Sequence, residues 1–225
     1  EHVPADVRIH YVVTDGGKAP NIVPEDAAVW YFDRALTMDT MKMVERRMRN
    51  IAEGAALMTE TSFWEEQLGG CCPILPNHVL GKLIDSCMRD IAQEPWTSEE
   101  IEYVQGIDES VPQLHTGVKD IDTNDDFGST DVGDVSQITP VTYYKTACYG
   151  MNAPAHSWQV TACVGRSIGQ KGMLYGAKVG ALAAMRLVDD PELVVSARKE
   201  FENCMCGREY ESLLPADALI PLSGQ

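Results

Sequence analysis

Four small residues spaced four apart, Gly172, Gly176, Gly180 and Ala184, constrain the fold of this chain more than any other feature. They fall within 168–188, a stretch that reads as one long helix with Ser167 placed as its N-cap. Residues four apart lie above one another on a helix. The four therefore form a flat seam against which another backbone can pack closely. Such seams also join helices inside membranes, but Lys171, Lys178 and Arg186 favour a soluble helix pressed on a sheet. Asp190-Pro191 then reads as a cap followed by proline at the first position of a final helix, which runs to about residue 205.

A strand and a loop precede this helix. Residues 138–149 (ITPVTYYKTACY) read as a buried strand, and 150–158 (GMNAPAHSW) as the loop after it. Upstream, a connector with Pro73 and Pro76 leads into a helix at 77–92. Residues 95–126 are polar and acidic, with one short helix near 98–105 and an exposed run carrying Asp120, Asp122, Asp125 and Asp126. This run has neither the glycine nor the glutamate that an EF-hand loop needs at its sixth and twelfth positions.

The first 70 residues read β-β-α-β. Residues 7–13 (VRIHYVV) and 27–34 (AAVWYFDR) are strands, separated by the turn signal Asp15-Gly16-Gly17. Met41, Val44, Met48, Ile51, Ala55 and Met58 recur at helical spacing, so they form one apolar stripe of a helix capped by Thr37. Residues 61–67 (TSFWEEQ) read as a third strand, and the stripe as the core of an α+β layer. So small a sheet calls for one more strand and helix, which would have to precede residue 1.

Composition narrows the partners. A net charge of −16 opposes nucleic acid and anionic membrane surfaces, both of which attract clustered Lys and Arg. No apolar run approaches the length of a bilayer span. Seven cysteines at irregular spacing, with no Cys-x-x-Cys pair, suit neither a zinc knuckle nor a disulfide framework. They read as free thiols of a reducing, cytoplasmic setting. The start, Glu1-His2-Val3-Pro4, has no initiator Met and no leader pattern, as expected of a processed chain or a piece of a longer one.

Few residues stand out as carriers of chemistry. His10 lies on a strand out of phase with Ile9 and Tyr11; alone, it reads as a surface or packed histidine rather than a catalytic one. Arg34, at a strand end, suits a substrate carboxylate because its planar fork bonds two oxygens, or else it forms a surface ion pair. Asn21 follows the Gly-Gly turn. In GSTDVGD (128–134), Asp131 and Asp134 sit in a glycine-bounded loop, either steering a metal ligand from behind or capping a turn. His156 follows the buried strand in a Gly/Pro-bounded loop, the place where ligands collect in α/β sheets, and is the best single metal-ligand candidate. One histidine does not hold a zinc. No His-Glu-x-x-His occurs.

Six stretches together carry a resemblance. RIHYVVTDGGKAPNIVP, RNIAEGAALMT, LPN, GSTDVGDVS, GMNAPAHSWQ and SIGQKGMLYGAKVGALAAMRLVDDPEL appear in this order and span nearly the whole chain. The chain resembles the dinuclear-zinc amidohydrolases and peptidases, a family that includes aminoacylases, glutamate carboxypeptidases, auxin-conjugate hydrolases and the hydrolases of p-aminobenzoyl-glutamate. The resemblance implies an α/β fold. Residues 1–70 would be the lid or dimerisation domain, lacking its first strand and helix, and 71–225 the C-terminal segment of the catalytic domain.

The resemblance also implies roles. His10 would stabilise the oxyanion in the partner subunit's active site, giving a homodimer through the lid. Asn21 and Arg34 would hold the substrate, Arg34 by its free carboxylate. His156 would be the last ligand of two divalent metals, zinc or manganese. The reaction would be hydrolysis of a small N-acyl amino acid, with p-aminobenzoyl-glutamate foremost. The family's other ligands and its general-base Glu lie before the lid and have no counterpart here, so the chain alone is expected to be inactive. The alternative is a non-catalytic association module that pairs with a separate chain carrying the metal site.

Overall fold

The structure is a computed structural model that describes residues 2–107, 114–121, 129–151 and 153–214. Asp122, Asp125, Asp126 and Gly128, singled out above, lie outside the described residues. The described residues sort into two compact units: 2–74, 129–134 and 210–214 in one, and 75–107, 114–121, 135–151 and 153–209 in the other. Helices with one small sheet make the chain mixed α and β, as expected at that coarse level.

The first unit is built on an antiparallel hairpin of β1 (Arg8–Asp15) and β2 (Ala28–Arg34). Its register pairs Arg8 with Arg34, Ile9 with Asp33, His10 with Phe32, Tyr11 with Tyr31 and Val12 with Trp30. In the connecting loop the Gly17 amide donates to Asp15 Oδ1 at 3.1 Å, and Gly17 takes φ 97°, a conformation open to glycine. Thr37 caps α1 (Met38–Thr59), its hydroxyl accepting from the Thr40 amide at 3.2 Å.

The structure corrects two expectations for this unit. The apolar stripe of α1 is covered only at its start. Val44 is buried and Met41 and Met48 half-buried, whereas Ile51, Ala55 and Met58 are exposed. A 22-residue helix is about 33 Å long, and two strands about 5 Å apart are too narrow to roof it. Nor do residues 61–67 form a strand. No ladder reaches them, all are exposed, and the Thr61 amide turns back to Ala56 O at 3.0 Å. Aromatic and β-branched side chains favour a strand but do not supply a pairing neighbour.

A second centre of this unit gathers around Cys72. A Cβ at Gly133, in α4 (Val132–Ser136), would overlap the Cys72 carbonyl, so only glycine fits this approach. Asp134 accepts from the Cys72 amide at 3.3 Å and from the Tyr210 hydroxyl at 3.2 Å.

The second unit is helical. It contains α2 (His78–Asp90), α3 (Ser98–Ile107), α5 (Trp158–Val164), α6 (Ser167–Asp189) and α7 (Pro191–Met205). Leu83 and Cys87 of α2 pack with Tyr175, Val179 and Ala183 of α6. Val104, Cys163 and Ile168 form a second, smaller core. The start of α2 is tied to α7. Asn77 caps it through Leu80 N and donates to Ala197 O at 2.9 Å, while the Glu200 carboxylate accepts from the His78 and Val79 amides. A carboxylate at the positive end of a helix is favourably placed. Asp190 caps α7 ahead of Pro191, as its sequence implies.

The glycine seam of α6 does receive a backbone, though not that of a sheet. Gly172 faces the Ala147 carbonyl, Gly176 the Thr146 side chain, and Gly180 the Tyr144 hydroxyl. Tyr144 also donates to Gly176 O at 2.8 Å. The expected strand at 138–149 is absent. Its one ladder contact is an isolated parallel bridge between Val141 and Pro76, because no described strand lies beside it to pair. The cap of α6 also differs from expectation. Arg166 holds the N-cap position without a side-chain bond, and Ser167 is the first helical residue. The Ser167 hydroxyl is engaged by the Glu100 carboxylate instead.

Glu100, buried in α3, is held by Lys171 of α6 at 2.8 Å and by the Thr97 amide at 2.8 Å. Burial pushes its carboxyl up, but Lys171, Thr97 and Ser167 more than reverse this and hold it at about 2.

Candidate functional site

The hairpin brings two of the candidate residues together. Side chains alternate across a strand, and cross-strand partners share a face. The register therefore puts Arg8, His10 and Val12 of β1 on one face with Arg34, Phe32 and Trp30 of β2. The Arg34 guanidinium carbon lies 5.4 Å from the Phe32 ring centroid, a cation–π contact, and His10 stands directly opposite Phe32. The Trp30 and Phe32 rings are 6.4 Å apart at 52°. His10 is exposed and Arg34 half-buried.

The other face carries Ile9, Tyr11, Tyr31 and Asp33. Burial, and then Glu45 of α1, push the Asp33 carboxyl above its usual range, while His10 pulls it back. His10 therefore sits near an acid that lies across the sheet from it. Asn21, also in this unit, is exposed in the loop joining the two strands.

His156 belongs to the second unit and lies exposed in the turn before α5. Its φ of 59° is left-handed, a conformation that costs a non-glycine residue about 1 kcal/mol or more. The next residue, Ser157, caps α5 by accepting from Val160 N. Asp131 is exposed and accepts a 3.3 Å bond from the Thr130 hydroxyl. Both oxygens of Asp134 are occupied by the Cys72 amide and Tyr210.

The chemistry of these residues is that of a binding face. A guanidinium and an imidazole beside exposed aromatic rings can hold an anion next to an apolar group. Among the described residues, no group of three or more His, Cys, Asp or Glu side chains is placed to hold a metal ion. The described residues thus offer single donors, His156 among them, rather than a two-metal site. Trp30 and Phe32 were not singled out from the sequence, although the alternation of residues 30, 32 and 34 already put them beside Arg34. No described helix is long and apolar enough to cross a membrane.

No protein-family model matches the chain. Curated proteins do. One subunit of the p-aminobenzoyl-glutamate hydrolase of Escherichia coli (strain K12) is 29% identical over 247 residues, covering 96% of this chain and 51% of that protein. The Xaa-Arg dipeptidase of Mus musculus is 27% identical, covering 92% of this chain and 42% of that protein. The Xaa-Arg dipeptidase of Homo sapiens is 27% identical, with 87% and 40% covered. The chain spans about half the length, or less, of these relatives. The amidohydrolase and peptidase resemblance read from its motifs is borne out along nearly all of its length.

Proposed function

We propose that this chain, a relative of amidohydrolases and dipeptidases, is the C-terminal portion of a metal-dependent amidohydrolase that cleaves N-acyl amino acids at the amide bond. The observation that carries the reading is the shared face of His10 and Arg34. Arg34 would grip the carboxylate of the amino-acid end through its planar fork. His10, on the same face, would donate to the negative charge that develops on the amide oxygen. Asn21, in the hairpin loop, would add a hydrogen bond to the substrate.

The two kinds of relative are named for different substrates, one ending in glutamate and the other in arginine. Arg8 and Arg34 make the face cationic. That charge complements the second carboxylate of a glutamate and repels a guanidinium. We therefore place p-aminobenzoyl-glutamate first among substrates.

His156 is proposed as one donor to a divalent metal, zinc or manganese, that supplies a Lewis acid when bound. The described residues do not by themselves make up that site. Residues 1–70 would act as a lid that dimerises, and the setting would be cytoplasmic.

The test is kinetic and uses the parent polypeptide. His10→Gln is expected to lower kcat by about 10²–10³-fold with KM little changed. His156→Ala is expected to lower the bound metal measured by atomic absorption. Full turnover in the first variant, or unchanged metal stoichiometry in the second, overturns the corresponding role.

A second reading, an association module that pairs with a separate metal-bearing chain, is favoured by the lack of a three-donor cluster among the described residues. A separate neighbouring reading frame that encodes the missing donors would support it. A single frame continuous with Glu1 would exclude it. Under both readings the purified 225-residue chain does not hydrolyse p-aminobenzoyl-glutamate, and robust release of p-aminobenzoate by it would contradict both.

A further inference from the structure

We infer that the His10 face of the hairpin is selective for an aromatic acyl group, with Trp30 and Phe32 as the platform on which its ring stacks. The inference rests on the proposed binding of an amino-acid carboxylate by Arg34 and adds the other end of the substrate.

Three observations carry it. First, Trp30 and Phe32, the two large aromatics of this face, are 50% and 51% exposed. Their rings are 6.4 Å apart and tilted by 52°, which leaves ring surface open to a third aromatic group in an offset or edge-to-face contact.

Second, the cation and the rings lie in line. Arg34, Phe32 and Trp30 alternate along one strand. Alternate residues of a strand are about 6.6 Å apart. In an N-aroyl amino acid, standard bond lengths put the carboxylate on the order of 6 Å from the ring centre. A carboxylate on the Arg34 guanidinium therefore leaves the ring within reach of Phe32 and Trp30. The Arg34 guanidinium, already 5.4 Å from the Phe32 ring, borders both subsites.

Third, the charge of the face opposes that of the chain. The net charge is −16, yet from Arg8 to Val12 and from Trp30 to Arg34 this face carries Arg8 and Arg34 and no acid, Asp33 lying on the other side. A cationic patch with exposed rings, on an otherwise acidic protein, complements a ligand that is both anionic and aromatic. An aliphatic acyl group would satisfy the charge and leave the rings in water.

The experiment is a calorimetric titration of the 225-residue chain with two probes that share the glutamate end, N-benzoyl-glutamate and N-acetyl-glutamate. The benzoyl compound is expected to bind about tenfold tighter or more. Phe32→Leu and Trp30→Leu are each expected to shrink that preference to about threefold or less, through a larger loss for the benzoyl than for the acetyl compound. Arg34→Gln is expected to weaken both probes together. Circular dichroism checks that each variant is folded, and the two aromatic variants test the platform independently.

Equal affinity of the two probes overturns the aromatic platform and leaves the Arg34 clamp standing. So does a preference that survives in both folded aromatic variants. Failure of both probes to bind overturns the platform and the Arg34 clamp together.

Discussion

The carbonyl oxygen of Ala147 occupies the space into which a Cβ on Gly172 would project. The obstacle is backbone, so no rotamer change relieves it. Gly172→Ala is expected to cost about 1–3 kcal/mol, read as a lower thermal midpoint. Gly54, inside α1, has nothing within 4 Å of the equivalent position. There the substitution to Ala is expected to stabilise by about 0.5–1 kcal/mol through helix propensity alone. Equal effects of the two changes would remove the close approach from the explanation of the seam.

Glu100 makes the stability of the second unit depend on acid. Its folded carboxyl is held at about 2, below its ordinary value of 4.5. Between those values the unfolded chain binds the proton that the folded chain refuses. The contribution is therefore present above about pH 4.5 and is lost as pH falls toward 2. Chemical denaturation at several pH values is expected to show this loss in the native protein and a flatter profile in Glu100→Gln. That variant also loses about 1–3 kcal/mol at neutral pH, because Lys171 is left with a weaker partner. An unchanged acid limb would contradict the role of this ion pair.

Burial, and then the bonded Asp134 carboxylate, push the Cys72 thiol up to about 11. At pH 8 it is a poor nucleophile, since the thiolate is the reactive form. Cys204 and Cys206 are exposed. Brief treatment with iodoacetamide is expected to label these two and spare Cys72, as mass spectrometry would show. In Asp134→Asn the thiol is expected to ionise more readily and to be alkylated faster at pH 9. Prompt labelling of Cys72 in the native protein would refute its enclosure.

Parts of this architecture were legible in the sequence because they are local. Thr37 ahead of α1 and Asp190-Pro191 ahead of α7 act through bonds to residues two or three along the chain, and both work as read. The glycine seam was legible for a similar reason, since spacing along one helix decides its shape. What failed depended on neighbours. Residues 61–67 and 138–149 carry aromatic and β-branched side chains that strands favour, yet the described chain places no strand beside either. Ser167 had the right chemistry for a cap, but Glu100, 67 positions earlier, takes its hydroxyl. At the candidate site, period-two alternation was enough to turn His10 away from Ile9. It took the register to show that Phe32 and Arg34 share its face.

The central claim is that Arg34 holds a substrate carboxylate, and steady-state kinetics of the parent enzyme on p-aminobenzoyl-glutamate tests it most directly. A charge-assisted contact of this kind is worth about 1.5–3 kcal/mol, so Arg34→Gln is expected to raise KM by roughly 10- to 100-fold and leave kcat within about threefold. An unchanged KM in a folded Arg34→Gln enzyme would contradict the claim.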